Sequence, residues 1–299
     1  MHAQAAGGFR DIVVAQLIDA LDMLPAHPVG RHGIVRKDGA AVGVAHQRAI
    51  DGIGIRRLGQ ASLQARLQAP QVSHLLANSR NDFKIVEKVG ESAACNINAV
   101  CRVDQLGPAY VQAKNAVAHM VFVDGGKSYI CTGTLLNDTT ASTQVPYFYS
   151  AAHCIDSQTV ANTLNTYWGY ENTGCATSDA RKTNPLTGGA DILFVDTNVD
   201  ALLLRLKNPA PAGATFAGWD ASTLAPNADV IAIHHPSGDA KKYSRGQHVA
   251  DRYAEQFTVG WLEGTTEGGS SGSGLFTRYA DNTYRLRGGL YGGNASCAN

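Results

Sequence analysis

Charge is scarce in this 299-residue chain: Lys, Arg, Asp and Glu make up only 17% of it, and 25 cationic side chains balance 25 anionic ones. A surface without a dominant sign offers no electrostatic footprint for nucleic acid or for an anionic membrane. No apolar run is long enough for a helical membrane span. No CxxC, HExxH or Cys/His knuckle spacing occurs, so no metal and no other cofactor is expected. Repeats of fixed period and low-complexity tracts are missing as well. Cysteine is absent from the first 94 residues.

The six cysteines present all lie between Cys95 and Cys297. An even count confined to roughly 200 residues points to a disulfide framework and an oxidising compartment. Secretion is therefore expected, although no clear signal peptide is visible. The best h-region candidate, Ile12-Val13-Val14-Ala15-Gln16-Leu17-Ile18, is short and flanked by Asp11 and Asp19.

Residues 1–88 read as an N-terminal extension, either a propeptide or a segment begun at the wrong start. Apolar residues at helical spacing predict a helix over Asp11 to Leu24 with Pro25 as its stop, and a second over Ala61 to Leu76. His2, His27, His32, His46 and His74 are scattered through this segment without ligand spacing and read as solvated side chains. From Ala118 onward short apolar runs alternate with turn signals. His119 to Val123, Tyr129 to Leu136, Val145 to Ser150, Ala201 to Leu206, Val230 to Ile233, Gln256 to Trp261 and Arg285 to Leu290 are strand candidates. Plentiful Gly, Ser, Thr and Asn between them favour a turn-rich all-β domain, a barrel or sandwich.

Three segments carry chemistry. Ser271 lies in Glu267-Gly268-Gly269-Ser270-Ser271-Gly272-Ser273-Gly274. A hydroxyl needs an adjacent base to become a nucleophile, and donors for the oxyanion it creates. Flanking glycines let the backbone turn tightly and bring amide N–H groups close to that oxygen. His153 follows an aromatic strand in Tyr149-Ser150-Ala151-Ala152-His153-Cys154. Asp200 opens Asp200-Ala201-Leu202-Leu203-Leu204-Arg205-Leu206, a place suited to a buried carboxylate that holds one histidine tautomer. Asp191 and Asp196 compete on spacing, but neither is read as leading into a comparably long apolar strand. Gly268 to Gly272 also satisfies the G-x-S-x-G elbow of α/β-hydrolases. That fold needs its histidine after the serine, and none follows position 271.

The order His, Asp, Ser within these blocks resembles the chymotrypsin-fold serine proteases. More narrowly it is similar to the bacterial lysyl endopeptidases of the Achromobacter protease I type. The likeness runs from about Gly90 to Asn299. It includes Ser92 to Ile97, Cys131-Thr132-Gly133-Thr134-Leu135, Ala217-Gly218-Trp219-Asp220, Ile231-Ala232-Ile233-His234-His235-Pro236, and Gly292-Gly293 before Cys297.

The resemblance implies two six-stranded antiparallel β-barrels over residues 89–299, with His153 as general base, Asp200 as its orienting partner and Ser271 as nucleophile. It implies an oxyanion hole from the N–H groups of Gly269 and Ser271, and a substrate strand at Tyr291, Gly292 and Gly293. Tyr291 stands where lysine-specific members have a histidine. The implied disulfides are Cys95–Cys297, Cys101–Cys175 and Cys131–Cys154, and His234-His235 becomes structural rather than a metal site. Ser270 occupies the place of the aspartate that captures the new N-terminus in mammalian trypsin-like enzymes. Family members continue beyond Cys297, where the aspartate that selects lysine lies, so the barrels are expected to be incomplete here.

Two functions follow as expectations. One is a secreted, monomeric endopeptidase of the zymogen type that cuts protein or peptide substrates after lysine. The other is a catalytically inactive fragment that binds peptides as a β module.

Overall fold

The computed structural model describes residues 12–16, 90–140, 143–182, 185–253 and 256–298. Its elements are largely strands, because the apolar runs are short, rich in β-branched and aromatic residues, and closed by turn residues. The tightest case is β3 (Val117–Asp124) and β4 (Lys127–Leu136), joined by Gly125-Gly126 alone. Both glycines have positive φ, 53° and 78°, the conformation a two-residue hairpin loop of matching twist requires.

The first sheet continues with β5 (Tyr147–Ala151), β6 (Asn165–Tyr167), β7 (Ala190–Asp196) and β8 (Ala201–Leu206). Its order is β6-β3-β4-β5-β8-β7, all antiparallel. Six strands are expected from the sequence, but the barrel does not close, since no β6–β7 ladder forms among the described residues. Thr166 of β6 instead exchanges both main-chain bonds with Leu186, at 3.0 and 2.8 Å, so that edge is already occupied.

The second sheet holds β10 (Asp229–His234), β11 (Lys242–Tyr253), β12 (Gln256–Glu263), β13 (Gly274–Arg278) and β14 (Tyr284–Gly293). Short strands β2 (Ile97–Asn98) and β9 (Gly218–Trp219) attach at β11 and β14. Between β12 and β14 lies β1 (Ile12–Gln16), antiparallel to both. The helix expected over Asp11 to Leu24 is thus corrected at Ile12–Gln16. Ile12, Val13 and Val14 are β-branched, and two open sheet edges satisfy their backbone groups as a helix would. Through β1 the pairings run β10-β11-β12-β1-β14-β13 and back to β10. The helix expected over Ala61 to Leu76 lies outside the described residues.

Helix α1 (Val103–Asn115) has no counterpart in the sequence reading. It is two helical pieces meeting at Gly107 (φ 75°), with Pro108 opening the second, where its missing N–H costs nothing. Tyr110 and Ala113 from α1 join Tyr149 and Leu203 of the first sheet and Ile233, Phe276 and Leu286 of the second in one apolar cluster. Each sheet also has its own core, around Met120, Leu135, Phe148 and Leu204 in the first and Val230, Phe257, Val259 and Leu275 in the second. All three cysteine pairs are bonded as expected: Cys95–Cys297, Cys101–Cys175 and Cys131–Cys154.

Candidate active site

β5 and β8 pair antiparallel, with Ala151 opposite Ala201. The residue before β8 and the turn after β5 therefore lie at the same end of the sheet, which brings Asp200 to His153. The His153 main-chain N–H donates to Asp200 Oδ1 at 2.8 Å, and His153 Nδ1 lies 2.7 Å from Oδ2. The Ala152 N–H donates to the Asp200 main-chain oxygen at 3.2 Å. Asp200 is 4% exposed and its φ is +59°, a region where aspartate is tolerated better than most side chains. With the carboxylate oxygen accepting, Nδ1 is the donor of this contact, and Nε2 is the ring nitrogen it leaves uncommitted, on a ring that is 40% exposed.

Asp191 and Asp196 go elsewhere. Both belong to β7, a seven-residue strand: Asp191 does lead into its Ile192 to Val195 run, which corrects the reading for that acid, whereas Asp196 closes the strand and leads into none. Asp191 pairs with Arg205 at 2.9 Å, and Asp196 accepts the Asn198 N–H at 2.8 Å.

Ser271 comes from the other sheet, in the loop between β12 and β13. That loop is pressed onto the first sheet. The Thr132 N–H donates to Ser271 O at 2.9 Å and the Thr132 hydroxyl to Gly269 O at 2.8 Å. A Cβ on Gly272 (φ +75°) would lie 2.1 Å from Ser150 Oγ and 2.8 Å from the Ala151 nitrogen. Only glycine allows this approach to the residues that lead into His153. Among the described residues the Ser271 hydroxyl makes no hydrogen bond to His153; such bonds are often long until substrate is bound. Within the loop, the N–H groups of Ser270, Gly272 and Ser273 are spent on Glu267 O, Leu290 O and Ser270 O. Those of Gly269 and Ser271 donate to no acceptor among the described residues.

The Tyr291 ring lies 6.0 Å from that of His153, tilted by 54°, and is 45% exposed. Gly292 and Gly293 pair with Val13 and Ile12 of β1. The Sγ atoms of Cys131 and Cys154 and one nitrogen of His153 lie within 4.8 Å of one another. Both sulfurs are consumed in a disulfide and hold no thiolate for a metal, so this cluster clips the histidine turn to β4.

The sequence reading missed Thr132, Ser150, Ser244 and Glu267, whose side-chain hydrogen bonds go to residues 10 or more positions away. It treated His234 and His235 only as structural. Both are buried: His235 Nδ1 lies 2.9 Å from Asp239 O, and His234 contacts Ser270 and Ser244. Burial, with the Lys242 charge adding to it, lowers the His234 pKa to about 3, so this ring stays neutral.

Two sheets, antiparallel except for the β9–β14 pair, one bearing a buried Asp–His pair and the other a glycine-flanked serine, are similar to the chymotrypsin-like protease fold. Residues 89–299 match the family described as lysyl endopeptidase, C-terminal domain, and the chain belongs to that family. It is 46% identical over 243 residues to a lysyl endopeptidase of Pseudomonas aeruginosa, an alignment covering 78% of this chain and 52% of that protein. The chain thus spans about half the length of the curated relative it matches. Among solved structures, a scabies mite inactivated protease paralogue is 14% identical with a TM-score of 0.44, covering 60% of this chain and 91% of that one. The protease Anisep from Arthrobacter nicotinovorans is 16% identical with a TM-score of 0.41, covering 62% and 90%.

Proposed function

We propose that the chain is a secreted serine endopeptidase that hydrolyses protein or peptide substrates after lysine through an acyl-enzyme on Ser271. The observation carrying this reading is the double grip of one buried carboxylate on His153, through its main-chain N–H and its ring. That grip leaves Nε2 to accept the Ser271 proton as Oγ bonds to the substrate carbonyl carbon. The carbonyl oxygen becomes an oxyanion received by the Gly269 and Ser271 N–H groups, which have no other described acceptor. His153 then returns the proton to the leaving amine as the C–N bond breaks. Water repeats the sequence to release the acid and restore Ser271.

The preference for lysine is supported by family membership; Tyr291, Gly292 and Gly293 of β14 are the proposed substrate strand, and β1 pairs with both glycines. The acting unit is residues 89–299, a monomer preceded by an extension over residues 1–88. A fluorophosphonate probe followed by peptide mapping tests the reading, with a single adduct expected on Ser271. A folded protein that binds lysine peptides without taking up the probe would instead be a peptide-binding β module.

A further inference from the structure

A chain of buried hydrogen bonds runs from the nucleophile loop into the second sheet, and its direction is determined by its ends. The Ser244 hydroxyl donates to Thr265 O at 2.7 Å, which uses its only proton. It must therefore accept at its other contact, so His234 Nε2 carries a proton and donates to Ser244 Oγ at 3.0 Å. A neutral imidazole protonated on Nε2 has its lone pair on Nδ1, which accepts the Ser270 hydroxyl at 2.8 Å. Ser270 Oγ in turn accepts the Glu267 N–H at 3.1 Å. One proton order satisfies every member, and Ser270, His234 and Ser244 are all buried.

We propose that Ser270 and His234 are positioning residues that hold the nucleophile loop in its working shape through this relay. Ser270 is tied to the loop at three further points: its N–H bonds Glu267 O at 2.9 Å, its carbonyl accepts the Ser273 N–H at 3.0 Å, and it joins Gly269 to Ser271. Anchoring its side chain to β10 and β11 fixes the planes of the peptides on either side. Those peptides carry the Gly269 carbonyl held by Thr132 and the Ser271 N–H. The loop is thus oriented from within the sheet by a histidine acceptor. Glu267 extends the anchor outward, its carboxylate accepting from the Ala93 N–H at 3.0 Å, the Asn96 amide at 2.6 Å and the Ser237 hydroxyl at 2.8 Å.

The inference rests on the serine-protease reading, and its test separates the two. Ser270→Ala, His234→Leu, their double variant and His234→Asn are compared with wild type for kcat and KM on a lysyl ester, and for melting temperature. Each of the first two is expected to lower kcat about tenfold, with KM within about twofold, as for one lost hydrogen bond. The double variant should lose no more than the worse single one. His234→Asn should recover most of the loss, because its Oδ1 stands where Nδ1 stood. Equal kcat in the Asn and Leu variants, or wild-type kcat in Ser270→Ala, would overturn the proposal. If the wild type takes up no fluorophosphonate, the protease reading fails by itself. Imidazole ¹⁵N NMR then decides the relay: a neutral Nε2–H His234 at pH 5 to 8 supports it, and an Nδ1–H tautomer or titration in that range overturns it.

Discussion

The two sheets supply the site by different means. In the first, His153 and Asp200 meet because β5 and β8 are neighbours, and a dry core of Met120, Leu135, Phe148 and Leu204 lies behind them. A disulfide clips the histidine turn to β4. In the second, Ser271 rides on a loop held by hydrogen bonds to buried polar groups: Thr132, His234 and Ser244. The proposed acid–base pair is thus a product of strand order, whereas the proposed nucleophile depends on a polar network. A half built on strand pairing should tolerate side-chain change around it; a half built on a relay should not.

The largest expected effect tests the second half. Ser271→Ala should lower turnover by about a million-fold while leaving the melting temperature close to wild type, measured by peptidase assay and calorimetry. Survival of activity in this variant, with loss in Ser270→Ala, would exchange the roles of the two serines. Asp200→Asn tests the first half and should cost about four orders of magnitude in turnover through the wrong histidine tautomer. Asp191→Asn is the control, since its carboxylate faces Arg205, and its turnover should be unchanged.

Replacing Cys131 and Cys154 together by alanine sharpens the contrast in stability. The pair closes a segment of 23 residues, for which chain entropy alone gives roughly 3 kcal/mol. Denaturant titration should show that loss, and hydrogen exchange should place the extra opening in β4 and β5 rather than in β11 and β12. The smallest effect concerns β1. Val14 is in backbone register with Phe257 on one side and Leu290 on the other, so a proline there must forfeit a ladder bond to one of them, about 1 kcal/mol. Val14→Pro should speed amide exchange in β12 and β14 and leave β3 to β5 as they were. Faster exchange in both sheets alike would mean that they open as one unit.

Much of this was legible without coordinates. Aromatic and β-branched runs closed by Gly and Asn announce strands, because the pleat alternates and the turn needs unusual φ; Gly125-Gly126 is the clearest example. The order of His153, Asp200 and Ser271, and the glycines around the serine, carry the proposed chemistry in local composition. The cysteine pairing came through family resemblance, not from spacing, which leaves fifteen possibilities open.

What only the tertiary structure decided are choices among equals. Asp191, Asp196 and Asp200 are all acids beside apolar runs, and only the β5–β8 register selects the one whose carboxylate reaches His153. Ile12 to Gln16 fits a helical period, yet two open strand edges draw it into a sheet. His234 and Ser270 are 36 residues apart, and nothing near either one names the other. Local sequence encodes backbone preference and burial. A buried polar group's partner is set by which strands pack against it, and that is a property of the whole fold.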